Sequence, residues 1–180
     1  MRDIVVTLMI MGSLPFIIKR TYIGILVWSW IGYMNPHRLG WGFARDYPFA
    51  YVVALVTLFS FLFNREEKAF PKYTLTAVWL LFLMWMAVTT IFAIFPEYSL
   101  VQLIKVSKIQ LFALLALLLM GSRERINKLI WVIVISLSYF GVKGGLFTIV
   151  HGGSFIVWGP PGSFIEGNNE LALAILMVIP

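Results

Sequence analysis

Cysteine is absent from the 180-residue chain, which removes disulfides, thiolate nucleophiles and cysteine metal sites together. Charge is scarce as well: 12% of the residues are Asp, Glu, Lys or Arg, against about a quarter in a soluble domain. The two histidines, His37 and His151, are too few and too scattered for a zinc site, which takes about three or four spaced ligands. Alternating strands of the outer-membrane barrel kind are missing, so a backbone placed in lipid must be satisfied inside helices. No internal repeat is visible, and the inverted repeats of many secondary transporters are therefore not indicated. The opening MRDIVVTLMIMGSLPFIIKR has no small-residue cleavage site and leads straight into more apolar sequence, unlike a signal peptide.

What is present is apolar surface. The chain is 61% hydrophobic with a mean hydropathy of +0.91, where a soluble domain is about 45–50% apolar. Seven apolar segments follow one another: Ile4–Ile18, Tyr22–Met34, Pro48–Phe63, Leu75–Phe95, one ending at Met120, one beginning near Leu129, and Leu171–Ile179. About 20 such residues at 1.5 Å each cross the roughly 30 Å hydrocarbon core. The expected fold is all-α, a polytopic transmembrane helix bundle of about six to seven apolar segments. The net charge of +6 lies in short loops between these segments, where it sets topology and gives no reason to invoke nucleic acid.

Loop charge orients the bundle. Arg65, Lys68 and Lys72 in one loop, and Arg123, Arg125 and Lys128 in another, belong on the cytoplasmic side by the positive-inside rule. The connector around Pro96 and Glu97, and the stretch from Lys143 to Glu170, then face outward. The first two segments are each about 20 Å long as helices, shorter than the core. Two thin spans or a dipping hairpin around Lys19 and Arg20 both place Asn35–Tyr47 outside. A kink at Pro15 or a single crossing would move the N-terminus.

The outer side collects the candidates for binding. Arg38 and Arg45 stand with Trp41 in MNPHRLGWGFARDYP, and Lys143 precedes the last loop. Cations and aromatics near the outer headgroup level suit a phosphate-bearing lipid head and a sugar face. Snorkelling anchors and an interfacial tryptophan belt account for the same residues without a ligand. Asn168, Asn169 and Glu170 are expected to cap a helix, Asn as N-cap and Glu in the first turn. In PEYSLVQLIKVSKIQLFALLALLLM, Ser99, Gln102, Lys105 and Lys108 step by three. In one helix from Tyr98 to Met120, Lys108 lies about 15 Å from the outer end. A lysine at that depth is expected to be buried or to face a cavity or partner. An interfacial amphipathic stretch from Glu97 to Lys108 would leave about 18 Å of helix to span the rest, which is too short.

Three stretches, MRDIVVTLMIMGSLPF with YIGILVWSWIGYMNPHRLGWGFA, then KIQLFALLALLLMGSRERI, then VKGG through VWGPPGSFIEGNNELALA, together resemble the N-terminal region of bacterial exosortase-associated O-glycosylation ligases. These are relatives of the O-antigen ligases and polymerases. The third resembles the G-T-F-G-N-P-N-like turn of that superfamily but has Ile165-Glu166-Gly167-Asn168-Asn169 and no proline after the first Asn. The resemblance implies a multi-pass protein of the bacterial inner membrane. It would transfer a glycan from an undecaprenyl-diphosphate carrier to an acceptor at the periplasmic face, without a metal or other cofactor. Residues 1–180 then correspond to the N-terminal transmembrane region of a longer ligase, inactive alone and completed by a C-terminal half or a partner chain. No position matches the family's catalytic Arg and His, so no catalytic residue is carried over. Arg38, Arg45, Lys108 and Lys143 remain as candidates for diphosphate or glycan binding. A lipid-linked sugar transporter or flippase, with Lys105 and Lys108 lining its path, and a non-catalytic membrane scaffold are the other readings.

Overall fold

A computed structural model of the chain describes residues 2–64 and 74–179. Among these residues the protein is all-α, with seven α-helices and one short 3-10 turn. The helices are α1 (Arg2–Lys19), α2 (Tyr22–Met34), α3 (Phe49–Phe63), α4 (Thr74–Ile91), α5 (Pro96–Leu119), α6 (Arg123–Val150) and α7 (Asn168–Leu176). Two of them, α5 and α6, are long and apolar enough to cross a membrane. The expected basic loop with Arg65, Lys68 and Lys72 lies outside the described residues.

The chain divides into two compact units, residues 1–66 with 122–180, and residues 67–121. In the first unit α1 and α2 form a tight hairpin about Arg20 and Thr21. The proline at 15 does not end α1, because Ile10 and Ile17 on either side of it are fully buried and packing holds the helix through the gap. Asp3 in the first turn and Lys19 in the last suit the helix dipole. At the hairpin, Thr21 Oγ1 and Ser60 Oγ share a hydrogen bond of 2.8 Å, and Ser60 Oγ also donates toward the Ile17 carbonyl at 2.8 Å. Asn64 Nδ2 donates to the Ile18 carbonyl at 2.6 Å and to Ser60 Oγ at 2.9 Å. Buried hydroxyls thus find partners in one another and tie the end of α3 to the α1–α2 corner.

The same end receives α6. Ser122 caps it by accepting from the Arg125 N–H at 3.3 Å, and Glu124 pairs with Lys128 one turn on at 2.6 Å. This capped, charged turn is why the helix begins at Arg123 and not near Leu129, where the apolar run starts. The Arg125 guanidinium lies 4.6 Å from the Tyr22 ring centre and the Lys128 ammonium 5.7 Å, pinning the starts of α2 and α6 together. The two helices therefore run in parallel from a basic end that, among the described residues, holds Lys19, Arg20, Arg123, Arg125 and Lys128 with one acid, Glu124. α1 and α3 run the opposite way. The core joins Val6, Ile10 and Ile17 of α1 to Ile31 of α2 and Phe49 and Val53 of α3.

In the second unit α4 and α5 form a hairpin. α4 stops at Ile91, short of the uncharged run's end at Phe95, because residues 92–95 turn ahead of Pro96, which takes the first helical position of α5. α5 is one continuous helix of 24 residues, about 36 Å long, with no break at Lys108. Trp79 Nε1 donates across the hairpin to Gln110 Oε1 at 3.1 Å.

Candidate functional site

The end of the first unit opposite the basic hairpin is built by two loops. α2 terminates at Asn35, the one non-glycine residue with positive φ among the described residues (φ 50°, ψ 51°). Asparagine tolerates this left-handed geometry better than most side chains. The chain then turns, and the carbonyl of Leu39 accepts from the Arg2 guanidinium. The Asp3 carboxylate lies against Gly40 and Gly42, where a Cβ on either glycine would meet it. His37 is buried, edge-on to Phe49 with ring centres 5.5 Å apart. Ala44 is buried in the core, while Trp41 beside it is 90% exposed with the Arg45 guanidinium 6.0 Å from its ring centre.

The second loop, between α6 and α7, folds on itself through Glu166. The backbone N–H of Gly159 donates to the Glu166 carbonyl at 2.8 Å, and that of Gly162 to Glu166 Oε2 at 2.8 Å. Gly162 has φ +68°, open to glycine at no steric cost. The two loops meet here. Asn35 Nδ2 donates to the Pro161 carbonyl at 2.9 Å, the Arg38 guanidinium covers the face of Gly162, and Tyr33 stands edge-on to Phe164 at 5.8 Å. At the foot of the second loop His151 stacks on Phe147, ring centres 4.2 Å apart, with Phe155 edge-on at 5.6 Å.

Electrostatically this end differs from the other. Arg2, Arg38, Arg45 and Lys143 are matched in number by Asp3, Asp46, Glu166 and Glu170. Burial, and next the positive charge of Arg38, lower the His37 pKa, so its ring is neutral at pH 7. Among the described residues, Asp3 Oδ1, Thr7 Oγ1 and His37 Nδ1 are buried without a hydrogen-bond partner, each a polar atom of the kind that ordinarily finds one. Among the described residues no group of three or more His, Asp or Glu is placed to hold a metal ion.

Of the sequence candidates, the structure brings Arg38 and Arg45 onto one loop, with Arg38 already engaged by Gly162. Lys143 is exposed on α6, about 10 Å before that helix ends. Lys108 belongs to the second unit, and of the expected alternatives burial is not met, which leaves the side facing a cavity or partner: Lys105 and Lys108 are both exposed. The reason is helical phase. Ser99 and Gln102 line a groove with Met86, Thr89 and Thr90 of α4, whereas at about 100° per residue Lys108 points to the opposite side from Ser99. The capping expectation is met in part: Glu170 lies in the first turn of α7, but the N-cap is not an asparagine. Gly167, extended at φ −67° and ψ 154°, is the N-cap, and Asn168 opens the helix without a side-chain cap bond. The Glu170 carboxylate folds back over Gly167 at the position a Cβ would fill, so a side chain there would displace it.

One feature of the first unit has no signal in any single stretch of sequence. An apolar cavity of about 910 Å³ lies between α6 and α7, lined by Trp131, Val134 and Leu137 on one side and Leu173 and Met177 on the other, with Tyr33, Phe164 and Glu170 also in its lining. Its two walls come from segments about 40 residues apart, and Tyr33 comes from almost 100 residues before them, which is why reading along the chain does not find it.

No curated protein and no solved structure matches the chain. A family model does match, over residues 1–173. The chain therefore belongs to DUF5935, a family of unknown function.

Proposed function

We propose that this chain is the N-terminal membrane portion of a bacterial inner-membrane glycan ligase. In this reading six to seven of its apolar segments are embedded, and the Asn35–Tyr47 and 151–167 loops face the periplasm. The donor is an undecaprenyl-diphosphate-linked glycan, and the residues that carry out transfer lie in a C-terminal half or partner chain. The observation that carries the reading is the junction of the two loops through Asn35, Pro161, Arg38 and Gly162. It sets Arg38 and Arg45 at the end opposite five basic residues, as an orientation by the positive-inside rule requires. Arginines at headgroup depth suit a diphosphate, and the apolar cavity between α6 and α7 suits a lipid chain.

In this role Arg38, Arg45 and Lys143 hold the donor and do not transfer it. The test uses the full assembly in membranes. Arg45→Ala and Lys143→Ala should each lower glycan transfer with no change in membrane level. Arg38→Lys should do the same while keeping the packing over Gly162. Unchanged transfer in all three variants removes this end of the unit from the donor site.

A further inference from the structure

We propose that the exposed face of α5 bearing Lys105 and Lys108 is a docking surface for a membrane helix that carries a carboxylate at mid-depth. The inference rests on the reading of α5 as a membrane span. Lys108 lies about 18 Å from the Pro96 end of α5 and about 17 Å from the Leu119 end. A four-carbon stem cannot carry its ammonium from there to either membrane surface. An ionised side chain at that depth requires a counter-charge or polar enclosure, and the described part of this unit offers neither. α4 has no charged residue, and Glu97, the one acid on α5, is eleven residues from Lys108, about 16 Å along the axis.

The face has a second property. Phe112, Leu115 and Leu119 follow Lys108 at helical spacings of four, seven and eleven, and all three are buried. Toward the Pro96 end the same face is open, and Val101 and Ile104 beside the lysines are exposed. The opposite side is committed to α4 through Gln110, Ser99 and Gln102. A second copy of α5 does not suit this surface, since it would set lysines against lysines. A lipid diphosphate does not suit it either, because such a group lies at headgroup level and not at the midpoint of a 24-residue helix. A helix with Asp or Glu near its centre meets both the depth and the sign.

The experiment places a photocrosslinking residue at Val101 or Ile104 of the full chain in native membranes and identifies the captured peptide by mass spectrometry. The expected peptide is an apolar helical segment with a central Asp or Glu. Lys108→Glu should lower its yield at least tenfold, Lys108→Arg should preserve it, and replacing the captured acid by Lys should restore it in the Lys108→Glu background. Capture of α5 from a second copy, capture of lipid alone, or a yield indifferent to the charge at 108 overturns the proposal. A nitroxide-labelled lipid tests the premise separately. If labels at Leu100 and Leu117 are not reached by it, α5 is not embedded, and the membrane reading of this unit falls together with the docking surface.

Discussion

Asn35 joins backbone geometry to loop docking, and the two contributions separate by mutation. Its φ of 50° and ψ of 51° end α2, and its Nδ2 holds the Pro161 carbonyl at 2.9 Å. Asn35→Ala loses both. Left-handed backbone costs an ordinary L-residue about 1–2 kcal/mol, and the lost hydrogen bond about 1 kcal/mol, for a total of about 2–3 kcal/mol. Asn35→Gly keeps the backbone geometry and loses only the bond, so about 1 kcal/mol is expected. The assay is reversible unfolding of the purified protein in detergent. Because the chain has no cysteine, spin labels at introduced cysteines in place of Trp41 and Ser163 report the loop-to-loop distance in the same samples. Both variants should broaden that distance, with Ala the more destabilised. Equal stability of the two variants, or an unchanged distance in both, would refute the reasoning.

Three further outcomes follow from packing and charge. Ser60 is buried among Thr21, Asn64 and the Ile17 carbonyl, so Ser60→Ala should destabilise by about 1–2 kcal/mol, read from the unfolding midpoint. A Cβ on Gly24 would overlap the Thr57 side chain, which is short, β-branched and bonded to the Val53 carbonyl at 2.7 Å. Gly24→Ala should therefore cost about 1–3 kcal/mol, and Thr57→Ala in the same chain should recover part of it. His37 has a lowered pKa in the folded protein, so its contribution is complete above the unfolded value of about 6.5. It is lost as pH falls from there toward the lower folded value, because the unfolded chain takes up a proton that the buried ring does not. Unfolding followed from pH 8 to 5 should show this loss, and His37→Gln should flatten that part of the profile.

Much of the helical framework was legible from apolar runs alone. Tyr22–Met34 is an α-helix with those bounds, the run at Ile4–Ile18 differs from α1 by a residue or two at each end, and Pro48–Phe63 differs from α3 by one residue at its start. The boundaries that moved did so where local chemistry outweighs hydropathy. Pro96 claims the start of α5 and leaves residues 92–95 as a turn, while Ser122 and the Glu124–Lys128 pair extend α6 ahead of its apolar run. The candidate site was legible only as two separate loops. That Asn35 bonds Pro161 across 126 positions depends on the parallel placement of α2 and α6, which neither loop encodes. The exposure of Lys108 likewise depends on which face of α5 meets α4. Charges spaced by three drift around a helix, and their spacing does not say which of them the neighbour will cover.

The central claim is that the Asn35–Tyr47 and 151–167 loops share one side of the membrane while the basic start of α6 lies on the other. Single cysteines at exposed Trp41, Trp158 and Asn127, in an otherwise cysteine-free chain, test it with a membrane-impermeant maleimide on intact spheroplasts. Labelling at 41 and 158 from outside, with 127 labelled only after permeabilisation, is the predicted result. Labelling of 41 and 158 from opposite sides, or of 127 from outside, would contradict it.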